Sequence, residues 1–352
     1  MPAPSDSPNR SRADDFLELV ERGKRGRLKL YIGFAAGVGK TYRMLQEAHA
    51  LKQRGVDIVI GFVETHGRVE TASLVDGLEV VLRRQIEHRG VVVEEMSLNN
   101  ILKRRPTMAI VDELAHTNVP GSRNRKRYQD VIELLDAGIA VIGAFNVQHL
   151  ESLKDVVERA TGVAIRETIP DSFIKQADQV VNLDLSVEDL QERLRAGKIY
   201  DQDKVGWALE HFFKDANLGQ LRELALREVA ESVERSSARR MLVGAAESNG
   251  GPRGGHGSRV MVCLSSASPR GATLVRKGSR LAGRLSTDWF VVFVETPREA
   301  PDRIDSEAQR HLMANTDLAR ELGAEIIRLR ASDPVHAILE FARSHSVGHI
   351  VV

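Results

Sequence analysis

The run Gly33-Phe-Ala-Ala-Gly-Val-Gly-Lys-Thr41 combines small residues, a lysine and a hydroxyl at a spacing suited to holding phosphate. Small residues let successive backbone N–H groups turn inward on an anion, and a helix starting at the end of the loop adds partial positive charge. In such a loop Gly33, Gly37, Val38 and Gly39 would supply the backbone cradle. Lys40 would reach the outer phosphate oxygens and Thr41 would ligate Mg²⁺. The G-x-x-x-x-G-K-[ST] spacing is met by Gly39, Lys40 and Thr41, whereas its first glycine position falls on Phe34, with Gly33 one residue early. A phosphate site of this kind also needs an acid at the end of a nearby strand, to hold the metal through water. Thr107-Met-Ala-Ile-Val-Asp-Glu113 supplies an apolar strand ending in Asp112, with Glu113 beside it as a candidate for orienting water.

Two further clusters lie beside these. Val63-Glu-Thr-His-Gly-Arg68 follows a second apolar strand, so Glu64, His66 and Arg68 should project at the carboxyl edge of the sheet, where open α/β folds bind ligands. Leu114-Ala-His-Thr-Asn-Val-Pro-Gly-Ser-Arg123 runs on from the Asp112 strand into Asn124-Arg-Lys-Arg-Tyr128. For any one of these arginines a solvated role is at least as good a reading as a phosphate contact. His66, His116 and His149 lack the paired spacing of a zinc motif, so the sequence points to no metal beyond Mg²⁺.

The elements that must position these residues alternate. Leu28–Ile32 reads as a buried strand, Thr41–Gln53 as a helix with Met44, Leu45, Ala48 and Leu51 on related faces, and Asp57–Val63 as a second strand. The pattern continues with a helix over Thr71–Leu82, a strand at Gly90–Val93, a helix near Leu98–Arg104 and the strand Met108–Val111. A helix over Tyr128–Ala137 and a strand over Ile139–Ala144 follow, then short strands at Val163–Glu167 and Gln179–Leu183. Such alternation implies a mostly parallel sheet covered on both faces by helices. Helical segments over Val187–Ala196, Val205–Lys214 and Leu218–Arg239 form an extension. The segment Ser248–Ser258, with five glycines and a proline, reads as a linker. Beyond it, strands at Val260–Leu264, Trp289–Val294, Glu325–Leu329 and Ile350–Val352 alternate with helices at Ala272–Leu285, Ser306–Leu322 and Pro334–His345. The last strand stops with the chain, which points to a longer parent.

The expected organisation is therefore a flexible segment over 1–24, with a short amphipathic helix at Asp14–Val20, and a phosphate-loop domain over 25–240. A Gly-rich linker over 241–258 and a smaller α/β domain over 259–352 complete it. At 352 residues the length suits two domains, and 42% hydrophobic residues suffice for two cores. With 50 Lys+Arg against 49 Asp+Glu the formal net charge is +1, which argues against a nucleic-acid binder acting through bulk charge. A single cysteine, Cys263, excludes an intramolecular disulfide and suits a reducing, cytoplasmic compartment. No apolar run approaches the ~20 residues of a membrane helix, so no direct membrane insertion by this chain is expected.

Several strings together resemble the KdpD potassium-responsive sensor histidine kinases. They are Gly33 to Met44, Val63-Glu-Thr-His-Gly-Arg68, Val111-Asp-Glu-Leu-Ala-His-Thr-Asn118, Pro120-Gly-Ser122 and Lys126-Arg-Tyr-Gln-Asp130. Asn146-Val-Gln-His-Leu-Glu-Ser152, Arg166-Glu-Thr-Ile-Pro-Asp171 and Leu221-Arg-Glu-Leu-Ala-Leu226 follow in order, so that nearly all of 25–235 is covered. The resemblance implies a P-loop-type α/β domain that binds ATP and tunes the kinase and phosphatase balance of a distant catalytic core. ATP contacts would fall on Gly37, Gly39, Lys40 and Thr41, and a magnesium-side role on Asp112. It also implies that 259–352 is similar to universal stress proteins. In some relatives that domain takes cyclic di-AMP through a serine pair and an aromatic strand, for which Ser266, Ser268 and Trp289 are the positions here, while Phe290 to Phe293 depart from the pattern. Family members continue into transmembrane helices and a histidine kinase core, both absent from these 352 residues. This chain is thus expected not to autophosphorylate on histidine. Its partner would be the kinase core and transmembrane part of a longer parent or of a separate protein, at the inner membrane. A stand-alone P-loop ATPase or phosphotransferase is the alternative.

Overall fold

A computed structural model describes residues 25–88, 90–230, 259–266, 270–285, 287–297 and 303–352. The expected 1–24 segment with its Asp14–Val20 helix, and the 241–258 linker, lie outside these residues. Two compact units emerge. One holds 25–32, Gly39–Phe145 and Ala177–Leu183; the other holds Gly33–Val38, Asn146–Gln176 and the described residues from Asp184 on.

The first unit is built on a six-stranded sheet in the order β3-β2-β6-β7-β1-β8. Its strands are β1 (Leu28–Gly33), β2 (Ile58–Phe62), β3 (Glu79–Val80), β6 (Met108–Val111), β7 (Ala140–Asn146) and β8 (Gln179–Leu183), with β4 (Arg84–His88) and β5 (Val91–Glu95) forming a separate two-stranded hairpin. β2 pairs in parallel with β3 and β6, and β6 with β7. Five of six β1 residues and all of β2 are buried, the near-continuous apolar signature of strands covered on both faces. α1 (Lys40–Gln53) lays Met44, Leu45 and Ala48 against Tyr31, Ile58, Ile60, Ile110 and Ile142, positions that recur on one side of a 3.6-residue helix. α2 (Val69–Ala72), α3 (Leu98–Arg104) and α4 (Arg127–Asp136) complete the unit. At the entrance to β1, Lys29 pairs with Glu47 at 2.7 Å and Arg25 with Asp136 at 2.8 Å.

In the second unit, α5 (Lys154–Thr161), α6 (Asp171–Ile174), α7 (Val187–Arg195), α8 (Gln202–Glu210) and α9 (215–230) precede a four-stranded parallel sheet. That sheet runs in the order β11-β10-β9-β12, from β9 (Arg259–Leu264), β10 (Trp289–Glu295), β11 (Glu325–Arg330) and β12 (Val347–Val351). Alternate residues divide its two faces. Val260, Val262, Trp289, Val291 and Phe293 share a core with Val275 of α10 (Gly271–Arg284) and Leu312 of α11 (Ser306–Glu321). Met261, Phe290, Val292 and Val294 share another with Phe341 of α12 (Pro334–Ser344). Arg276 and Arg280 of α10 pair with Glu151 and Asp155 at 2.7 and 2.8 Å. Among the described residues no helix is long and apolar enough to cross a membrane.

Three expected elements differ. The helix expected over Thr71–Leu82 shrinks to α2, because the chain turns at Gly77 (φ 81°) and delivers β3 alongside β2. The strand at Gly90–Val93 becomes β5, antiparallel to β4 and outside the main sheet. Val163–Glu167 carries no strand, and Ile169 alone bridges to Leu150.

Candidate functional site

The glycine-rich loop joins β1 to α1. Gly37 and Gly39 take φ of 90° and 99°, values open to glycine and costly for residues with a Cβ. Phe34, at the departure from the phosphate-loop spacing, is a core residue, 1% exposed. α1 begins at Lys40 with no side-chain cap and no acidic residue in its first turn, so neither offsets the positive end of the helix dipole.

Thr41 Oγ1 donates to Asp112 Oδ2 at 2.6 Å, and the Glu113 amide donates to Asp112 Oδ1 at 2.8 Å. Lys40 and Asp112 are both buried. Burial pulls the Lys40 ammonium down to about 8, opposed by the Asp112 carboxylate and reinforced by the charge of Arg68. Burial likewise pushes the Asp112 carboxyl up, against the hydrogen bonds from Thr41 and the Glu113 amide. Each side chain sits where its charged form is penalised.

His66 and Glu113 are both non-glycine residues at positive φ, 50° and 51°, and such backbone costs about 1 kcal/mol or more at each. Their side chains meet, with His66 Nε2 3.4 Å from Glu113 Oε1. This bond holds the Glu113 carboxyl below its ordinary range and raises the His66 imidazole above its own. Beneath the Asp112–Glu113 turn lies Arg127, 1% exposed, its guanidinium 3.7 Å from the Phe62 ring centre. It bonds Glu95 Oε2 at 3.2 Å, stands 3.6 Å from Glu113 Oε2, and donates to the carbonyls of Asp112 and Glu113 at 3.4 and 3.5 Å. Burial works against the Glu95 charge. The bonds from His116 Nε2 (2.8 Å) and the Val119 amide (3.0 Å), with the Arg127 charge, outweigh it and hold the carboxyl low.

Thr41 and Asp112 thus meet beside Lys40, and the neighbouring Glu113 meets His66. Glu95 and Arg127 were not singled out. Arg127 reads as one cation in a basic run, yet it is buried, while its neighbours Arg123 and Lys126 engage Glu133 (2.6 Å) and Thr117 (2.8 Å) near the surface. His149 bonds the Glu167 carbonyl at 2.9 Å. Ser266 and Trp289 are buried, Trp289 within the sheet core, and Ser268 lies outside the described residues.

A family profile described as the osmosensitive K⁺ channel His kinase sensor domain, KdpD, matches residues 24–233. The sensor protein KdpD of Escherichia coli is 44% identical over 99% of this chain, which spans 38% of that relative's length. A putative sensor protein KdpD of Synechocystis sp. is 44% identical over 94% of this chain and 86% of its own length. The sensor protein KdpD of Mycobacterium tuberculosis is 42% identical over 94% of this chain, which covers 37% of it. A solved universal stress protein from Archaeoglobus fulgidus aligns with 27% of this chain and 74% of its own at 23% identity, with a TM-score of 0.23, too low to bear on the argument. The profile match over most of the chain and the near-complete alignment with the Synechocystis protein place this chain in the KdpD family of sensor proteins.

Proposed function

We propose that the chain is a regulatory ATP-binding module of a potassium- or osmotically responsive two-component sensor kinase. ATP·Mg²⁺ occupancy would tune the output of a kinase core carried by a longer parent or a separate protein, on the cytoplasmic side of the inner membrane. The observation that carries this reading is the 2.6 Å bond between Thr41 and Asp112 beside the buried Lys40. A hydroxyl and a carboxylate at that distance are hard oxygen donors of the kind Mg²⁺ takes in small number, with phosphate oxygens and water filling its octahedron. The charge of Arg68 adds to the penalty on the buried Lys40 ammonium, and an anion bound at Lys40 would offset it. The residues therefore fit the group. Gly33, Gly37, Val38 and Gly39 would give backbone N–H groups, Lys40 the charge on the outer phosphates, and Thr41 and Asp112 the metal side. The bound metal would neutralise phosphate charge.

Occupancy regulates only through differential affinity for two states of the module. Hydrogen exchange with and without ATP·Mg²⁺, with phosphate release followed on the same samples, tests this. Slowed exchange with negligible release supports regulation. Release abolished by Glu113→Gln would instead support a second reading, hydrolysis or phosphoryl transfer, which the Glu113–His66 pair at 3.4 Å favours.

A further inference from the structure

The glycine-rich loop is gripped from far along the chain. Arg193 of α7 donates from Nη1 to the Gly37 carbonyl at 3.1 Å, across 156 residues of sequence. In a trans peptide the C=O and the following N–H point in opposite directions, and no cis peptide occurs among the described residues. A guanidinium on the Gly37 carbonyl therefore turns the Val38 N–H away from α7. This hold matters because Gly37, at φ 90°, has the freedom to flip its peptide plane at small cost. A flipped plane would present a carbonyl oxygen where an anion needs a donor.

The same glycine is covered by the apolar side of the same segment. A Cβ at Gly37 would run into the side chain of Ile199 and come within 3.3 Å of Leu190, both of them buried. α7 is tied onward as well. Gln191 Nε2 donates to the Phe213 carbonyl at 2.9 Å and to Asp215 Oδ1 at 2.6 Å. Tyr200 meets the Phe213 ring edge-on at 5.8 Å. Arg222 of α9 bonds Asp184 just before α7. The arginine that fixes one peptide of the loop thus belongs to a body reaching from Asp184 to α9.

We propose that Arg193 is a positioning residue: it fixes the Gly37–Val38 peptide so that the Val38 N–H serves a nucleotide phosphate, and thereby ties polyphosphate occupancy to α7–α9. The inference rests on the ATP reading given above. Coupling of this kind is reciprocal. Phosphate on the Val38 N–H strengthens the hold of Arg193 on Gly37, and loosening α7 weakens phosphate binding.

The experiment titrates the full chain with ATP·Mg²⁺ as wild type, Lys40→Ala, Arg193→Ala and Arg193→Lys, and follows hydrogen exchange over 187–230 at saturating nucleotide. Loss of one charge-assisted bond predicts about 10-fold weaker ATP binding in Arg193→Ala, with part of it restored by Arg193→Lys, which keeps a donor. In the wild type ATP slows exchange over 187–195; in Arg193→Ala it does not, even at saturation, while exchange over 40–44 is still slowed. A merely structural role would leave that second readout unmoved in the folded variant. If Lys40→Ala abolishes binding but Arg193→Ala matches wild type in affinity and in protection of 187–195, the role of Arg193 is overturned and the ATP site stands. Absence of ATP binding by the wild type overturns both.

Discussion

Replacing Arg127 by alanine asks whether the Asp112–Glu113 turn is held from beneath. The guanidinium is 1% exposed and stacked on Phe62 at 3.7 Å, a contact worth about 1–2 kcal/mol when desolvated. Its removal also deprives Glu95, 3% exposed, of a cation at 3.2 Å, and breaking a buried pair costs about 3–5 kcal/mol because the partner charge stays buried. These contributions overlap, and His116 and the Val119 amide still serve Glu95, so the lower end applies: about 3 kcal/mol. Both tryptophans, Trp207 and Trp289, lie in the other unit, so their fluorescence is the wrong probe. Hydrogen exchange at the β6 amides Ile110 and Val111 reads the loss directly, and 3 kcal/mol corresponds to exchange about 100-fold faster. Arg127→Lys should fall between, since lysine keeps the charge without the planar fork. Exchange within about threefold of wild type in Arg127→Ala would show that Arg127 does not hold the turn.

Three other outcomes follow from the same geometry. Lys40 protonates near 8 in the free chain against 10.5 for an unperturbed lysine, so the unfolded chain binds more protons between those values and this group's contribution to stability grows as pH rises through that window. Bound ATP would favour the charged form, and calorimetry in buffers of different ionisation enthalpy should find more proton uptake on binding at about pH 8.5 than at about pH 6.5; equal uptake at both would contradict the assignment. The His66 imidazole, raised by Glu113, should titrate lower in Glu113→Gln when followed by NMR. The stabilisation from that pair is full below the unfolded histidine value and fades as pH rises through the folded one, so an unmoved titration would dismiss the pair. Thr41→Val removes the donor to Asp112 and should make ATP affinity about 10-fold weaker in Mg²⁺ but little changed in EDTA. An equal loss in both would show that the hydroxyl serves the fold instead.

Much of the site was legible in the sequence because its parts are local. A loop of small residues between a buried strand and an amphipathic helix, and an apolar strand ending in Asp112, each announce themselves within ten residues. What supports them was not legible. Arg127 stands among Arg123, Arg125 and Lys126, and only the fold, which lays the start of α4 over Phe62, separates the buried cation from the others. Glu95 ends an otherwise exposed hairpin strand, so nothing in its neighbours marks it as buried. Leu74, Val75 and Leu78 repeat at helical spacing, yet the turn at Gly77 breaks the helix they suggest. Arg193 meets its carbonyl across 156 residues, a pairing that no local pattern carries.

On the proposed function, the loop ending in Lys40 and Thr41 holds a nucleotide's phosphates with Asp112 on the metal side. Isothermal titration of the chain with ATP, with and without Mg²⁺, beside Lys40→Ala, tests it most directly. Saturable binding that tightens with Mg²⁺ and is lost in the variant is expected. Binding of equal strength in wild type and Lys40→Ala, or none in the wild type, would contradict it.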